Sequence, residues 1–341
     1  MKKKIVSLAL QGGGSHGAFT WGVLDRLLEE RRIDIQGISG ASAGAMNAVV
    51  LAHGYTVGGR KGAREALTTF WESVASTASF SVLPGEGATA ATIDAEARPT
   101  PAFKGFLALA RFVSPYQFNP FELDPLRDIL EKQVDFERLR TKCPIQLFIA
   151  TTRVNTGMLR LFRNRHLSLD VLLASACLPS IQRAVEIDGE PYWDGGLAAN
   201  PPIFPLVHRC AARDIVVVTL NARRRPDIPK TSDEIWHRLN EISFSSSFFT
   251  ELQGLALATR EAEQSLFPVG RLERRLRHLK MHLIDAQELM SQLSTMSRLN
   301  THPAFLEALR DEGRKRTDAW LEENFELIGE RSSFRLDSFL R

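Results

Sequence analysis

A serine between two glycines, in Gly40-Ala41-Ser42-Ala43-Gly44, constrains the fold of this chain more than any other stretch. It follows the short apolar segment Ile35–Ser39 and precedes a stretch rich in Ala, Met, Val and Leu. A strand that turns sharply into a helix needs small residues at the bend, because larger side chains would collide with the adjoining elements. The pattern therefore predicts strand, tight turn and helix, with Ser42 as candidate nucleophile and Gly40 and Gly44 shaping its elbow.

A second glycine run, Gly12-Gly13-Gly14-Ser15-His16-Gly17, follows an apolar segment and opens a predicted helix over 18–30. Consecutive glycines at a helix N-terminus present backbone N–H groups that can bind the negative oxygen of a tetrahedral intermediate. The amides of Gly12, Gly13 and Gly14 are therefore candidate oxyanion-hole donors. The run also matches the Gly-x-Gly-x-x-Gly pattern of dinucleotide-binding loops, which needs an acidic residue near the end of the next strand. That residue is absent, so nucleotide binding is the weaker interpretation.

A candidate base lies in Tyr192-Trp193-Asp194-Gly195-Gly196, where an aspartate ends a short apolar segment and two glycines follow. Taken alone, Asp-Gly-Gly is more often a simple turn. Taken together and in this order, the three motifs resemble the patatin-like phospholipase family. The resemblance covers residues 3 to about 221 and includes Ala174–Pro179, which is similar to a block that precedes the family's catalytic aspartate.

The resemblance implies an α/β protein with a three-layer α/β/α fold, a mainly parallel central sheet and a mostly helical C-terminal extension. It also implies a Ser-Asp dyad, with Ser42 as nucleophile and Asp194 as base, and oxyanion donors at Gly12, Gly13 and Gly14. Two positions depart from the family pattern. Gln11 stands where an aspartate is common, which should change little because the donors are backbone groups. His16 stands where Arg or Lys is usual, which replaces a permanent positive charge with one that depends on pH.

A Ser-His-Asp triad is the alternative that the residues alone leave open. An α/β-hydrolase orders its triad Ser, Asp, His along the chain, and five histidines follow Asp194. None of them lies in a short loop directly after a predicted strand, where a triad histidine is normally placed, so we favour the dyad. The five are His208, His237, His278, His282 and His302.

Composition favours a globular enzyme. A chain of 341 residues, 44% of them hydrophobic, can bury a large core. A net charge of +3 indicates no general affinity for nucleic acid. Three cysteines in apolar or helical sequence indicate reduced thiols, and no metal-ligand spacing is present, so we expect neither a metal nor a cofactor. The basic and apolar N-terminus lacks a cleavage site and no apolar run is long enough to span a membrane, so we predict a cytoplasmic protein.

The chain is expected to form two parts. A charged segment with prolines, Arg223–Pro229, is interpreted as the boundary between a patatin-like hydrolase domain over 1–228 and a mostly helical extension over 229–341. Within the first part, the segment 77–101 is predicted to be a loop, and the amphipathic segment 103–113 either a core helix or a lid. The predicted strands are 5–10, 35–39, 146–151 and 214–220, with hairpins around 156–157 and 188–189.

The extension is predicted to contain a long helix over 232–266, a strand over 281–285 and a final helix over 302–325. The basic segment 271–280 is either a solvated helix face or a contact with anionic lipid or a storage granule. The extension resembles the C-terminal domain of unknown function in a bacterial subfamily of patatin-like proteins, some of which are described as polyhydroxyalkanoate depolymerases.

These observations predict a serine acyl hydrolase that cleaves carboxylic ester bonds of a lipid or polyester. The expected partners are that substrate and, by peripheral contact, a membrane or granule surface; the sequence predicts no oligomeric state. An intracellular polyhydroxybutyrate depolymerase with the same dyad is the closest alternative. A binding or regulatory protein that keeps the fold with little turnover is a second alternative, which the residues Gln11 and His16 leave open.

Overall fold

Eight strands form the sheet around which the chain is organised. The computed structural model describes residues 3–77, 114–118, 124–225, 228–265, 270–293 and 295–340. The strands within these ranges are β1 (Lys4–Leu10), β2 (Ile33–Gly40), β3 (Gln146–Arg153), β4 (Leu159–Arg163), β5 (Val185–Ile187), β6 (Glu190–Asp194), β7 (Asp214–Val218) and β8 (Lys280–Ile284). Strands that are neighbours in the series β5-β6-β3-β2-β1-β7-β8 are hydrogen-bonded to each other, and β4 also pairs with β3.

The central part of the sheet is parallel. Strand β1 lies between β2 and β7, β2 pairs with β3, and β8 extends the sheet beyond β7, all in parallel register. Strands β4 and β6 run antiparallel to β3, and β5 runs antiparallel to β6. The four predicted strands and the mainly parallel sheet are confirmed, with strand ends that differ by a few residues.

Both predicted hairpins are present. Gly157 has φ +68° in the turn between β3 and β4, and the turn between β5 and β6 places Asp188 at φ +52° and Gly189 at φ +77°. Two successive residues with positive φ match the twist of an antiparallel pair, and Asp and Gly are the residue types that tolerate this conformation. The second hairpin carries Asp194 at the end of β6.

Helices cover both faces of the sheet. The predicted helix after the serine elbow is longer than expected and continues to Ser76, leaving helical geometry only at Gly58 and Gly59. The helices are α1 (Gly17–Glu29), α2 (Ala43–Ser76), α3 (Pro115–Phe118), α4 (Pro125–Gln133), α5 (Phe136–Lys142), α6 (Leu169–Ser175), α7 (Phe204–Arg209), α8 (Ser232–Gln264), α9 (Arg271–Arg277), α10 (Gln287–Gln292) and α11 (Pro303–Asn324).

Alternation along the strands separates two cores. Leu8 and Leu10 of β1 point into the core that α1, α2 and α11 cover, whereas Ala9 points into the core that α7, α8 and α9 cover. Since successive side chains of a strand face opposite sides, a strand that is apolar at every position needs helices on both. The three-layer α/β/α fold is thereby confirmed.

The chain after residue 228 contributes to all three layers. Strand β8 adds to the sheet, α8 and α9 cover one face, and α11 packs on α1 across the other. The predicted helices and strand of this extension are present within one or two residues of their expected ends. The division at 228 stays a prediction about which part of the chain folds by itself. The predicted loop over 77–101, apart from Thr77, and the segment 103–113 lie outside the described residues.

Within the described ranges, every helix is either too short or too polar to cross a lipid bilayer.

Two glycines allow α1 and α11 to touch along their backbones. A Cβ atom on Gly22 would collide with the carbonyl oxygen of Arg310, and one on Gly313 would collide with that of Phe19. The buried carboxylate of Asp25 adds ion pairs from α1 to Arg64 of α2 and Arg314 of α11. The last helix of the extension is therefore held against the first helix of the chain by close backbone contact and by charge.

We expect Gly22→Ala to reduce the free energy of unfolding by about 1–3 kcal/mol, because the new methyl group must push α11 away. Gly254→Ala is the matched control in α8, where a Cβ atom would meet nothing within 4 Å. That substitution should instead raise stability by about 0.5–1 kcal/mol, since alanine loses less backbone entropy in a helix. Urea denaturation of both variants measures the two effects. Equal effects of the two changes would contradict a close α1–α11 contact.

Candidate active site

The serine elbow forms as predicted between β2 and α2. Ser42 has φ +52° and ψ −127°, a conformation that non-glycine residues rarely adopt. A Cβ atom on Gly40 would lie 2.6 Å from the carbonyl oxygen of Gly44, so both positions must be small for the turn to close. The strained turn leaves the Ser42 side chain partly exposed, as a nucleophile requires.

The glycine loop lies directly against this elbow. A Cβ atom on Gly12 would lie 2.6 Å from the carbonyl oxygen of Ala41 and 2.7 Å from Cβ of Ser42. A Cβ atom on Gly44 would collide with the carbonyl oxygen of Leu10. Two motifs that lie 30 residues apart in the sequence are thus in backbone contact.

The three loop amides are not equivalent. The Gly12 N–H donates to Oδ1 of Asn200 at 2.6 Å, so it is already occupied. Within the described residues the amides of Gly13 and Gly14 have no hydrogen-bond acceptor. The set of candidate oxyanion donors therefore narrows from three amides to two. Sequence reasoning missed Asn200, which lies beyond the Asp-Gly-Gly motif and reaches the loop only through the fold.

Gln11 fastens the glycine loop to the end of β7. Its Oε1 accepts hydrogen bonds from the amides of Leu220 at 2.6 Å and Asn221 at 2.9 Å, and its Nε2 donates to the carbonyl of Asn200 at 3.1 Å. A carboxylate could accept the first two bonds but could not donate the third. The departure at position 11 thus leaves the loop well supported, as expected from its backbone chemistry.

Register along β3 places Asp194 beside the elbow. Gly40 pairs with Ile149 at the end of β2, and Asp194 pairs with Thr151. Because β4 occupies the other edge of β3, β6 lies on the same edge as β2 and continues its line. Asp194 is therefore displaced from Gly40 by two residues of β3, about 7 Å.

The carboxyl group of Asp194 is buried and only half satisfied. Its Oδ1 accepts the Gly196 N–H at 2.7 Å, whereas Oδ2 accepts no hydrogen bond from any described group. Burial raises the pKa of Asp194 from 3.8 to about 7, against smaller lowering effects of the Gly196 amide and the Ser42 hydroxyl. The Ser42 hydroxyl is thus close enough to stabilise the carboxylate without a well-aligned hydrogen bond, a common arrangement in substrate-free enzymes.

One short segment holds both candidate residues in place. The Ser42 amide donates to the carbonyl oxygen and to Oγ of Ser175, each at 3.1 Å, and the Asp194 amide donates to the carbonyl of Cys177 at 2.8 Å. Burial, and then the charge of Asp194, raises the pKa of the Cys177 thiol to about 12, so this sulfur is not a nucleophile. The block at 174–179, noted in the sequence only by resemblance, is the support of the site.

His16 does not carry the pH-dependent charge expected at this position. Its ring is buried with Nε2 2.7 Å from Oγ of Ser297. Burial, and then the charge of Arg298, holds the pKa of His16 well below its ordinary value, so the ring is neutral near pH 7. The permanent charge here belongs to Arg298, whose backbone carbonyl contacts Gly14 and whose Nη2 donates to Asn221. No motif marked Arg298, because only the fold brings it to the loop.

None of the five histidines after Asp194 is hydrogen-bonded to Ser42 or Asp194 in the part of the chain that the structure describes. His282 is the most constrained of them. It is buried between Asp214, 3.0 Å from Nε2, and Ser333, 2.9 Å from Nδ1. Asp214 opens β7, at the opposite end of the parallel strands from the elbow. This histidine therefore ties the C-terminal tail to the sheet.

A family model described as patatin-like phospholipase matches residues 8–207. No curated protein matches the chain. Among solved structures, VipD from Legionella pneumophila has 16% sequence identity and a TM-score of 0.45, with 95% of this chain and 67% of that chain covered. ExoU, in its heterodimeric complex with SpcU from the type III secretion system of Pseudomonas aeruginosa, has 15% identity and a TM-score of 0.32.

The second similarity covers 93% of this chain but 52% of the other, so this chain spans about half of that protein. Both structural similarities are too distant to indicate a shared reaction. The family model, in contrast, spans more than half of the chain and contains the serine elbow, the glycine loop and Asp194. On that match, this chain belongs to the patatin-like phospholipase family.

Proposed function

We propose that this chain is a serine acyl hydrolase that cleaves carboxylic ester bonds of lipids through a Ser42–Asp194 dyad. The observation that carries this proposal is the placement of a strained serine beside a buried, half-satisfied carboxyl group. A loop with two unpaired amides, those of Gly13 and Gly14, lies against the same serine. Nucleophile, base and oxyanion donors are thus supplied by three adjoining turns.

In the proposed reaction, Oγ of Ser42 attacks the ester carbonyl while Asp194 accepts the hydroxyl proton. The amides of Gly13 and Gly14 donate to the oxyanion of the tetrahedral intermediate. Collapse of the intermediate transfers the proton to the departing alcohol and leaves an acyl group on Ser42. Water then attacks this acyl group while Asp194 accepts a proton from it; breaking of the acyl–Oγ bond releases the acid, and Asp194 returns the proton to Oγ of Ser42.

Burial makes Asp194 a better base than an ordinary carboxylate. An exposed aspartate is ionised at neutral pH but has little tendency to take up a proton, because its pKa is near 4. A pKa of about 7 balances the fraction that is ionised against the affinity for a proton. A histidine normally provides this balance, and here desolvation provides it.

Nucleophile and base are tested by replacing each with a residue of similar shape. We expect Ser42→Ala to abolish ester hydrolysis and labelling by a fluorophosphonate. Asp194→Asn should lower kcat by about 10²- to 10⁴-fold, the usual loss on removing a general base. His208→Gln and His282→Gln are the controls, and both should keep most of the activity. A folded histidine variant without activity, beside an active Asp194→Asn enzyme, would overturn the dyad.

A panel of substrates distinguishes a lipid hydrolase from a polyhydroxybutyrate depolymerase and from a binding or regulatory protein. Hydrolysis of phospholipid or short esters without hydrolysis of polyhydroxybutyrate supports the lipid hydrolase. Hydrolysis of the polymer alone points to a depolymerase with the same dyad. A protein that hydrolyses none of them and whose Ser42 resists the fluorophosphonate is a binding or regulatory member of the family.

The raised pKa of Asp194 also predicts how activity and stability depend on pH. Activity should rise as pH passes through about 7, where the base ionises. Because the folded-state pKa lies above that of the unfolded chain, the carboxyl group stabilises the fold below about pH 4 and loses this contribution as pH rises through 7. The side chain of the Asp194→Asn variant carries no charge at any pH. The variant should therefore be more stable than wild type at pH 8, by up to about 4 kcal/mol for a pKa shift of this size.

Thermal melts of wild type and Asp194→Asn from pH 4 to pH 9 measure this difference. The gap between the two melting temperatures should open between pH 4 and pH 8. A constant gap would show that Asp194 keeps an ordinary pKa.

An exposed apolar stripe on α8 supports peripheral contact with a lipid surface. The stripe consists of Ile235, Leu239 and Ile242, with Trp236 beside it, and these four side chains are 44–53% exposed. The spacing of the stripe is that of one helix face, which the sequence alone would assign to a core. Phe244, within a turn of the stripe, packs against Gly196 next to Asp194. Phe244 projects from the opposite face of α8, so the helix separates the stripe from the Asp-Gly-Gly turn and leaves the stripe facing outward. We propose that this outward face docks on a lipid surface.

Trp236 provides a probe of this contact, because it is 52% exposed, whereas Trp21, Trp71 and Trp320 are buried and Trp193 is half-buried. We expect phosphatidylcholine vesicles with brominated acyl chains to quench its emission, and Trp236→Phe to remove that change. Leu239→Gln should weaken vesicle binding roughly tenfold, the value of one buried leucine side chain. Val57→Gln, at a site in α2 that is 55% exposed, is the matched control.

If Val57→Gln weakens binding as much as Leu239→Gln, the stripe is not the lipid-contacting surface. Loss of self-association in Leu239→Gln, measured by sedimentation, would assign the stripe to a second copy of the chain instead.

The cysteines Cys143, Cys177 and Cys210 are free thiols, which supports our proposal of a cytoplasmic location.

A further inference from the structure

A groove lined by four arginines lies on the face of the sheet that α7, α8 and α9 cover. Its volume is about 580 Å³. The arginines come from three separate elements: Arg163 ends β4, Arg209 ends α7, and Arg271 and Arg275 belong to α9. Among the described residues that line the groove there is no aspartate or glutamate. The groove is thus strongly cationic in a protein whose net charge is only +3.

These four guanidinium groups lack counter-charges. Over the ranges that the structure covers, none of them forms an ion pair with a carboxylate. Elsewhere the protein pairs its partly buried arginines, as Arg225 does with Glu241 at 2.6 Å. Burial, and then the neighbouring charge of Arg271, lowers the pKa of Arg275. Cations of one sign in a concave surface raise the local potential, and an anion bound there would relieve their repulsion.

The floor of the groove is apolar. The guanidinium carbon of Arg163 lies 6.0 Å from the centre of the Phe148 ring, a cation–π contact that limits its motion. Phe204 and Leu272 also line the groove and are 44% and 41% exposed. A charged wall above an apolar floor fits a ligand with a compact anionic group attached to a less polar body.

We propose that this groove binds a group that carries several phosphate charges, such as a phosphomonoester headgroup or an oligophosphate. A single carboxylate would neutralise one arginine and leave three, whereas a multiply charged phosphate group can accept hydrogen bonds from several guanidinium groups at once. The volume lies within the range of small-ligand sites. The proposal goes beyond the hydrolase activity and does not depend on it.

The test measures binding to the full-length Ser42→Ala protein. Inorganic tripolyphosphate, titrated by calorimetry, represents a free ligand. Phosphatidylcholine vesicles that contain phosphatidic acid represent a lipid headgroup, and vesicles with phosphatidylserine at the same surface charge show whether negative charge alone suffices. If the protein binds tripolyphosphate but does not bind the phosphatidic acid vesicles, the result supports a free ligand. If it binds both, the result supports a lipid headgroup.

The variant pair Arg271→Gln/Arg275→Gln removes two groove charges. We expect it to weaken tripolyphosphate binding roughly 100-fold, the combined value of two hydrogen bonds to charged groups. The control pair Arg274→Gln/Arg277→Gln lies on the same helix, changes the net charge equally and does not line the groove. It should change binding by less than about threefold, as exposed charges do.

Equal weakening by both pairs, or binding equally tight to phosphatidylserine vesicles, would overturn the proposal in favour of general charge attraction. Tight binding of a single-stranded oligonucleotide that tripolyphosphate does not displace would assign the groove to nucleic acid and also overturn it. Thermal melting separates a binding site from a structural role. The groove variant should melt no lower than wild type, because it loses repulsion and no ion pair; a clear decrease would mean that the arginines support the fold.

Discussion

The close approach of three backbone segments is the constraint on which the site depends. The glycine loop, the serine elbow and the end of β1 touch through positions that have no room for a Cβ atom: Gly12, Gly40 and Gly44. Such contacts bring amide groups close to the nucleophile, where a side chain would otherwise intervene. They also explain why the elbow can hold Ser42 in a strained conformation, since packing on every side prevents its relaxation.

Desolvation then sets the affinity of Asp194, the proposed base, for a proton. Asp194 is buried with one oxygen unpaired, an arrangement that lowers stability at neutral pH and raises affinity for a proton. The supports around it are neutral: a glycine amide and a cysteine thiol kept protonated by burial. A carboxyl group surrounded in this way can exchange a proton near pH 7 without a histidine.

The chain beyond residue 228 shapes the site from a distance. It supplies Arg298 behind the glycine loop, Phe244 against the Asp-Gly-Gly turn, and a layer of helices over one face of the sheet. The same helices leave two surfaces without a partner in the described structure, the apolar stripe of α8 and the arginine groove beside α9. One surface is apolar and lies on the face of α8 opposite to Phe244, and the other is cationic and lies near the other end of α8. These are the surfaces through which we propose that the enzyme meets its surroundings.

Local pattern determined much of this protein. The glycines around Ser42, the run at Gly12 and the turn after Asp194 predicted their own backbone shapes, because tight bends and positive φ angles restrict which residues can occupy them. Apolar runs predicted the strands and the parallel sheet, because a strand that is buried on both faces is apolar along most of its length. The tertiary structure alone decided that Asn200 occupies the Gly12 amide, that Ser175 and Cys177 hold Ser42 and Asp194 in place, and that His16 is neutral. Those properties depend on burial and on neighbours distant in sequence, which no local pattern of residues can specify.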